Sequence, residues 1–257
     1  MLLTVDVGNT NITMGVFEQE SLLGMFRMMT KQPRTSDEYG FTICGILEHR
    51  GIDPDEIDAV IIASVVPDIM HSLTSGIIKY LHTTPLTVSA ETDTGITVAT
   101  DNPSRTGADR IVNAAAGYAI ANGPAIVIDF GTATTYDLVG PERTLEACII
   151  APGIETAGRS LWGGAAMLPA IQIEKPDSVL ARDTVSGMQG GLVFGAIGQT
   201  EYIVNRMKEE AGYHDAYVIA TGGLGKIIAK ETECIDLYDP QLTLNGLRMI
   251  YKRMKGH

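Results

Sequence analysis

Asp129-Phe130-Gly131-Thr132-Ala133-Thr134 follows directly on Ala125-Ile126-Val127-Ile128, an apolar run of the kind found in strands buried on both faces of a sheet. The same phrase occurs near the start of the chain. There Leu2 to Val5 lead into Asp6-Val7-Gly8-Asn9-Thr10, after which Ile12, Met14 and Val16 alternate with polar or small residues. Each stretch reads as strand, glycine turn, second strand. Taken alone, either turn is explained by a hairpin in which Asp or Asn makes an Asx-turn. An ordinary hairpin has no reason to recur after a matching strand, and here the recurrence extends further. The apolar run from Ala59 that ends in Ser64-Val65-Val66-Pro67 has a counterpart in Tyr217 to Ala220, ahead of Thr221-Gly222-Gly223. The pattern is that of an internal duplication in an α/β chain.

The segments between these landmarks fit that plan. Ser36, Asp37 and Glu38 open a predicted helix to Arg50, with Gly51 as its stop signal. Pro67 opens another, whose Ile69, Leu73, Ile77 and Leu81 recur every four residues and mark a core face. Thr94 to Ala99 reads as a strand, Gly107-Ala108-Asp109-Arg110 as the entry to a closely packed alanine helix that stops at Gly123, and Ser186 to Ala211 as a long helix. No Pro- or Ser-rich linker separates the halves, so the boundary is expected near Asn113, inside a helix, giving domains 1–113 and 114–257.

The bulk composition narrows the function classes. With 257 residues, 45% hydrophobic and 19% charged, the chain can bury a sizeable core. A net charge of −12 repels phosphate backbones and anionic membranes, which argues against nucleic acid or a membrane surface as partner but not against a metal-chelated nucleotide. Cys44, Cys148 and Cys234 match no zinc or disulfide spacing. The N-terminal segment has no basic leader, and no apolar run approaches membrane-spanning length, so the expected location is cytoplasmic. The histidines, His49, His71, His82, His214 and His257, share no ligand spacing, and Trp162, with Gly163-Gly164 after it, either lines a site or a subunit contact or, as a lone tryptophan usually does, serves packing.

A carboxylate at the end of a buried strand is costly to keep ionised unless cations or several donors compensate it. Asp6 and Asp129 both occupy such ends. The glycine two residues on lets the backbone turn tightly and bring N–H groups up to an anion, while Asn9, Thr10 and Thr132 add short donors. Two facing turns, one from each half, would grip a polyphosphate chain in a cleft between domains, with Asp6 placed to hold magnesium directly or through water. No G-x-x-x-x-G-K-[ST] or helix-opening G-x-G-x-x-G competes with this reading. Asp109 either complements the dipole of its helix or, with Gly107 and Arg110, presents a base to a substrate hydroxyl and a guanidinium to a substrate carboxylate. Thr221-Gly222-Gly223 either passes beside an adenine or is a tight helix start.

These residues together resemble a known family. Asp6-Val7-Gly8-Asn9-Thr10-Asn11, Gly107-Ala108-Asp109-Arg110-Ile111-Val112-Asn113, Asp129-Phe130-Gly131-Thr132-Ala133-Thr134-Thr135 and Thr221-Gly222-Gly223 are similar, in order and across nearly the whole chain, to the motifs of type III pantothenate kinase. Arg34-Thr35-Ser36-Asp37-Glu38, Ala151-Pro152-Gly153-Ile154 and Leu242-Thr243-Leu244-Asn245-Gly246-Leu247 add to the likeness. The resemblance implies two duplicated actin-like (ribonuclease H-like) domains with mixed sheets and an interdomain nucleotide cleft. It implies ATP-dependent phosphorylation of the primary hydroxyl of pantothenate to 4'-phosphopantothenate, the first step of coenzyme A biosynthesis, with Asp109 as proton acceptor. Asp6, Val7, Gly8, Asn9, Thr10, Asn11, Ile12 and Thr13, with Gly131, Thr132, Gly222 and Gly223, would bind ATP. Magnesium would be served by Asp6, and potassium or ammonium by Asp129. Thr100, Gly107, Ala108, Asp109, Arg110 and Thr184 would contact pantothenate, in a homodimer whose interface helps to build that pocket.

The chain departs from the family pattern at Thr100, where the family usually has Tyr, at Ala147-Cys148, where it usually has Gly-Gly, and at Ala181, where it usually has Gly. Three rival readings follow: a kinase of the same superfold for another small hydroxyl substrate, a non-catalytic regulatory ligand-binding member of the family, and a generic actin-like ATPase or chaperone. The first has no need of Gly-Ala-Asp-Arg, the second no need of all three aspartates, and the third usually requires insertions for which this chain has no room.

Overall fold

A computed structural model describes residues 1–256; His257 lies outside the described residues. The chain divides into two compact units, Met1–Ala116 together with the segment from Thr243 onward, and Gly117–Leu242.

In the first unit, strands β1 (Leu2–Val7), β2 (Asn11–Glu18) and β3 (Ser21–Met29) form an antiparallel meander. Helix α1 (Ser36–His49) then leads to β4 (Ala59–Ser64), which pairs parallel to β1, and α2 (Pro67–Leu81) leads to β5 (Leu86–Thr87), parallel to β4. The sheet order is β3-β2-β1-β4-β5. The central strands are apolar on both faces because helices cover the sheet: Leu3, Val5, Ile12, Met14 and Ile62 are fully buried and cluster with Tyr39, Ile43 and Leu47 of α1 and with Leu73 and Ile77 of α2. The first helix begins with a reciprocal capping box, the Thr35 hydroxyl accepting from Glu38 N–H while the Glu38 carboxylate accepts from Thr35 N–H, so Thr35 rather than Ser36 is the cap. The strand expected over 94–99 shrinks to β6 (Thr97–Val98), because Gly95 takes a φ of +78° and the Thr94 hydroxyl accepts from Ile96 N–H in a local turn.

Helix α3 (Ala108–Ala121) carries the chain from one unit to the next. The second unit then repeats the plan. Strands β7 (Ala125–Phe130), β8 (Ala133–Val139) and β9 (Thr144–Pro152) form the meander, and α4 (Ile154–Gly164) and the long α5 (Thr184–Ala211) occupy the place of α1. Strand β10 (Tyr217–Thr221) lies parallel to β7, and after the short α6 (Gly225–Ala229), β11 (Leu237–Tyr238) lies parallel to β10. The order β9-β8-β7-β10-β11 is that of the first unit, strand for strand. The long helix starts at Thr184, two residues before the expected Ser186, because the Asp183 carboxylate caps it by accepting from Ser186 N–H.

The sequence reading assigns 114–257 to the second half, but the last helix, α7 (Leu242–Met254), groups with the first unit from Thr243 onward. Its Leu247 and Ile250 are buried in a cluster with Ile61, Ala63, Val88 and Val112. A Cβ built on Gly246 would lie 2.8 Å from the Val112 carbonyl oxygen and 3.2 Å from Ala116 Cβ, so α7 and the alanine face of α3 meet backbone to backbone. The Thr243 hydroxyl donates to Asn113 Oδ1 at 2.8 Å across the same contact.

Candidate active site

In the first unit, Asp6 lies near the end of β1, opposite Thr13 on β2 and Ala63 on β4, and is half-buried. Gly8 N–H donates to the Asn11 carbonyl at 3.0 Å and closes the turn, leaving Asn9, Thr10 and Asn11 exposed. The side chains of Val7 and Ile12 are fully buried in the core, so only their main chain is available to a ligand. The turn has a further support that the sequence reading did not single out. Thr30, just past β3 and 4% exposed, donates its N–H to the Thr10 carbonyl at 3.0 Å and its hydroxyl to the Gly8 carbonyl at 2.7 Å.

The second unit builds its turn on the same frame. Asp129 is half-buried, opposite Thr135 on β8 and Thr221 on β10. Gly131 N–H donates to the Ala133 carbonyl at 3.1 Å, and the Thr132 carbonyl accepts from Gly153 N–H at 3.2 Å and from the Thr156 hydroxyl at 2.7 Å. Gly222 has a φ of +90°, and a Cβ there would fall 2.6 Å from both Asp129 Oδ1 and the Phe130 carbonyl oxygen. Glycine is required twice over, by conformation and by space, and the main chain passes directly against the carboxylate. The Tyr238 hydroxyl donates to the Gly222 carbonyl at 2.9 Å and pins this segment; Gly223 next to it is exposed. Thr156, Thr30 and Tyr238 lie far in sequence from the turns they support, so no spacing rule reveals them.

Asp109 stands in the first turn of α3, half-buried, with Oδ1 accepting from Arg110 N–H at 2.8 Å. Burial pushes its carboxyl above the usual carboxylate range; the hydrogen bond from Arg110 N–H and the nearby guanidinium pull it back only in part. A Cβ at Gly107 would lie 2.5 Å from Asp109 Oδ1, so the glycine makes room for the carboxylate to fold over the helix start. Thr100 is close to the same segment, its hydroxyl 3.2 Å from that of Thr106. Thr100, Gly107, Ala108, Asp109 and Arg110 thus belong to one stretch of the first unit, whereas Thr184 opens α5 in the second. Thr184 lines an apolar cavity of about 550 Å³ with Ala157, Leu161, Leu168, Met188 and Leu192.

The donors present suit the expected cations. Magnesium is usually held by one or two carboxylates together with substrate phosphates, and Asp6 supplies such a carboxylate beside an exposed turn. Asp129, with the Phe130 carbonyl oxygen close by at Gly222, offers the hard oxygen donors that an alkali cation prefers.

A family model described as type III pantothenate kinase matches residues 2–206. The chain belongs to this family. It is 54% identical over 253 residues to the type III pantothenate kinase of Agathobacter rectalis, covering 98% of this chain and 97% of that one. It is 47% identical to the type III pantothenate kinase of Bacillus cytotoxicus, covering 98% and 96%. Among solved structures it is similar to a Campylobacter jejuni protein described as a Baf family transcriptional activator, with 20% identity, a TM-score of 0.61, and 99% of this chain and 100% of that one covered. It is also similar to a Sinorhizobium meliloti protein described as a 2-dehydro-3-deoxygalactonokinase, with 14% identity, a TM-score of 0.57, and 99% and 97% covered. At these identities the two structures speak to fold alone, and they agree with the kinase-like α/β plan of duplicated, mixed sheets.

Proposed function

We propose that this member of the family transfers the γ-phosphoryl group of ATP to the primary hydroxyl of pantothenate, giving 4'-phosphopantothenate for coenzyme A biosynthesis. The observation that carries the reading is Asp109: a half-buried carboxylate at a helix start, raised in basicity by burial and set on the same stretch as Arg110 and Thr100. Its Oδ1 accepts from Arg110 N–H, and Oδ2 would accept the proton of the attacking hydroxyl. The Arg110 guanidinium would hold the pantothenate carboxylate, with Thr100 and Gly107 beside it and Ala108, whose side chain is buried in the core, offering its main chain. The turns at 6–13 and 131–132 would bind phosphates, with Asp6 serving magnesium and Gly222-Gly223 passing the adenine. Asp129 would hold potassium or ammonium. Phosphoryl transfer asks mainly for positioning and charge neutralisation, which is what such groups can provide.

The proposed assembly is a homodimer in the cytoplasm whose interface helps to build the pantothenate pocket, with Thr184 among the pantothenate contacts. The surface around α4 and α5 supports it: Met167 is 90%, Leu180 80% and Val179 72% exposed, next to the apolar cavity at Thr184. Exposed apolar side chains of this kind are what a subunit contact would cover. No helix among the described residues is long and apolar enough to cross a membrane. The test is ADP release from magnesium-ATP with and without pantothenate, in potassium and in sodium. Turnover that requires both pantothenate and potassium is expected. Turnover with a different hydroxyl substrate, or ATP binding with no turnover on any, would overturn the assignment in favour of another kinase or a regulatory protein.

A further inference from the structure

We infer that Thr30 and Thr156 are positioning residues, each holding one glycine turn in the orientation that aims its N–H groups at ATP phosphate. The inference rests on the proposed phosphate role of the turns. A peptide unit is planar and trans, so its carbonyl oxygen and the N–H of the next residue point in opposite directions. Fixing one fixes the other. Thr30 binds two carbonyls of the first turn, Gly8 through its hydroxyl at 2.7 Å and Thr10 through its N–H at 3.0 Å. The N–H groups of Asn9 and Asn11 are thereby turned away from Thr30. In the second unit the Thr132 carbonyl receives the Thr156 hydroxyl at 2.7 Å and Gly153 N–H at 3.2 Å, and the Ala133 N–H is turned away in the same manner.

Packing alone does not explain the hydroxyl of Thr30. The residue is buried, and valine would fill the same volume without it. What valine cannot do is hold the Gly8 carbonyl. Donors fixed in advance need no reorganisation when the anion arrives, which is where their advantage over water lies. The two clamps are unequal: Thr156 is exposed, and the carbonyl it serves keeps Gly153 N–H if the hydroxyl is lost. Thr30 should therefore matter more.

The experiment compares Thr30→Val, Thr30→Ser and Thr156→Val in the full chain, measuring calorimetric affinity for magnesium-ATP and for adenosine alongside KM and kcat. For Thr30→Val, ATP affinity should fall roughly tenfold while adenosine affinity moves less than about twofold, Thr30→Ser should restore both, and Thr156→Val should show a smaller loss of the same kind. Equal weakening of ATP and adenosine would mean a merely structural role, and unchanged ATP affinity in a folded variant would overturn the inference. Should Thr30→Val fail to fold, the exposed Thr156 carries the test alone: it must weaken ATP selectively, or the clamp is refuted. A wild-type protein that binds ATP no more tightly than adenosine would overturn the phosphate reading of the turns itself, a result distinct from failure of the clamps.

Discussion

Replacing Asp109 with Asn separates catalysis from stability, because the two should change in opposite directions. The side chain keeps its size, and the amide oxygen can still accept from Arg110 N–H, so the helix start is preserved. What is lost is the negative charge and the basic oxygen. A positioned general base contributes ~10²–10⁴-fold, which corresponds to about 3–5.5 kcal/mol of transition-state stabilisation. Turnover should fall by that amount while ATP affinity holds, since Asp109 lies outside both glycine turns.

The stability change follows from the raised pKa. A carboxyl whose folded-state pKa exceeds its unfolded value contributes stability that is complete below the unfolded pKa and is lost as pH rises through the folded pKa. Above the folded-state pKa that contribution is gone and the folded protein bears the cost of a desolvated charge. Asn bears no such cost, so Asp109→Asn should melt higher than the parent near pH 7.5, and the difference should shrink as the pH is lowered through the carboxylate range. The assays are steady-state ADP release, ATP calorimetry and thermal melts at several pH values. Near-normal turnover would refute the base assignment, and a lower melting temperature at neutral pH would refute the view that burial outweighs Arg110 in setting the state of this carboxyl. In the parent, kcat/KM should fall on the acid side with an apparent pKa above that of an ordinary aspartate.

Other substitutions test the frame around the site. Gly222→Ala should destabilise the protein by on the order of 1–3 kcal/mol, because alanine is strained at a φ of +90° and its Cβ would press on Asp129 and Phe130; thermal melts should show it, and potassium should no longer activate. Gly246→Val should cost about 1–3 kcal/mol by wedging α7 away from Val112, measurable as a lower urea midpoint. The double change Val179→Asp and Leu180→Asp should yield a folded monomer by analytical ultracentrifugation, with pantothenate KM raised and ATP affinity kept. A dimer that survives it would move the interface elsewhere.

The duplicated fold was legible because its signals are local. An apolar run ending in Asp, then Gly two residues on, recurs at Asp6 and Asp129, and the structure repeats the strand order around both. The place of α7 was not legible, because its amphipathic pattern states only that one face is buried. What assigns it to the first unit is the tertiary fit of Gly246 on Val112, a contact between residues far apart in sequence. The strand at 94–99 failed for a different reason: Thr and Val there satisfy strand propensity, but Gly95 and the Thr94 hydroxyl build a turn that outcompetes it. In the site, Asp109 could be singled out as one of two readings, but whether burial or the dipole governs its charge depends on surroundings that a sequence does not contain. Thr30 and Thr156 were missed because each is a single hydroxyl with no motif of its own.

Duplication also explains why two equivalent carboxylates can take different work. Asp6 and Asp129 occupy the same register, each flanked by a hairpin partner and by a parallel strand. The parallel neighbours then diverge. Beside Asp6, β4 ends in Ser64, whose hydroxyl accepts from Val66 N–H at 3.1 Å ahead of the helix opened by Pro67. Beside Asp129, β10 ends in Thr221 and passes into Gly222, whose left-handed backbone lies against the carboxylate. The first arrangement leaves a carboxylate next to an exposed, donor-rich turn, suited to a magnesium ion that arrives with its phosphates and keeps its waters. The second sets a carboxylate against the Gly222 main chain with the Phe130 carbonyl oxygen close by, donors that a large, weakly hydrated monovalent cation could use. The division of labour proposed for the two aspartates would rest on one position next to the parallel-strand residue opposite each, Ser64 at the end of β4 and Gly222 just past β10.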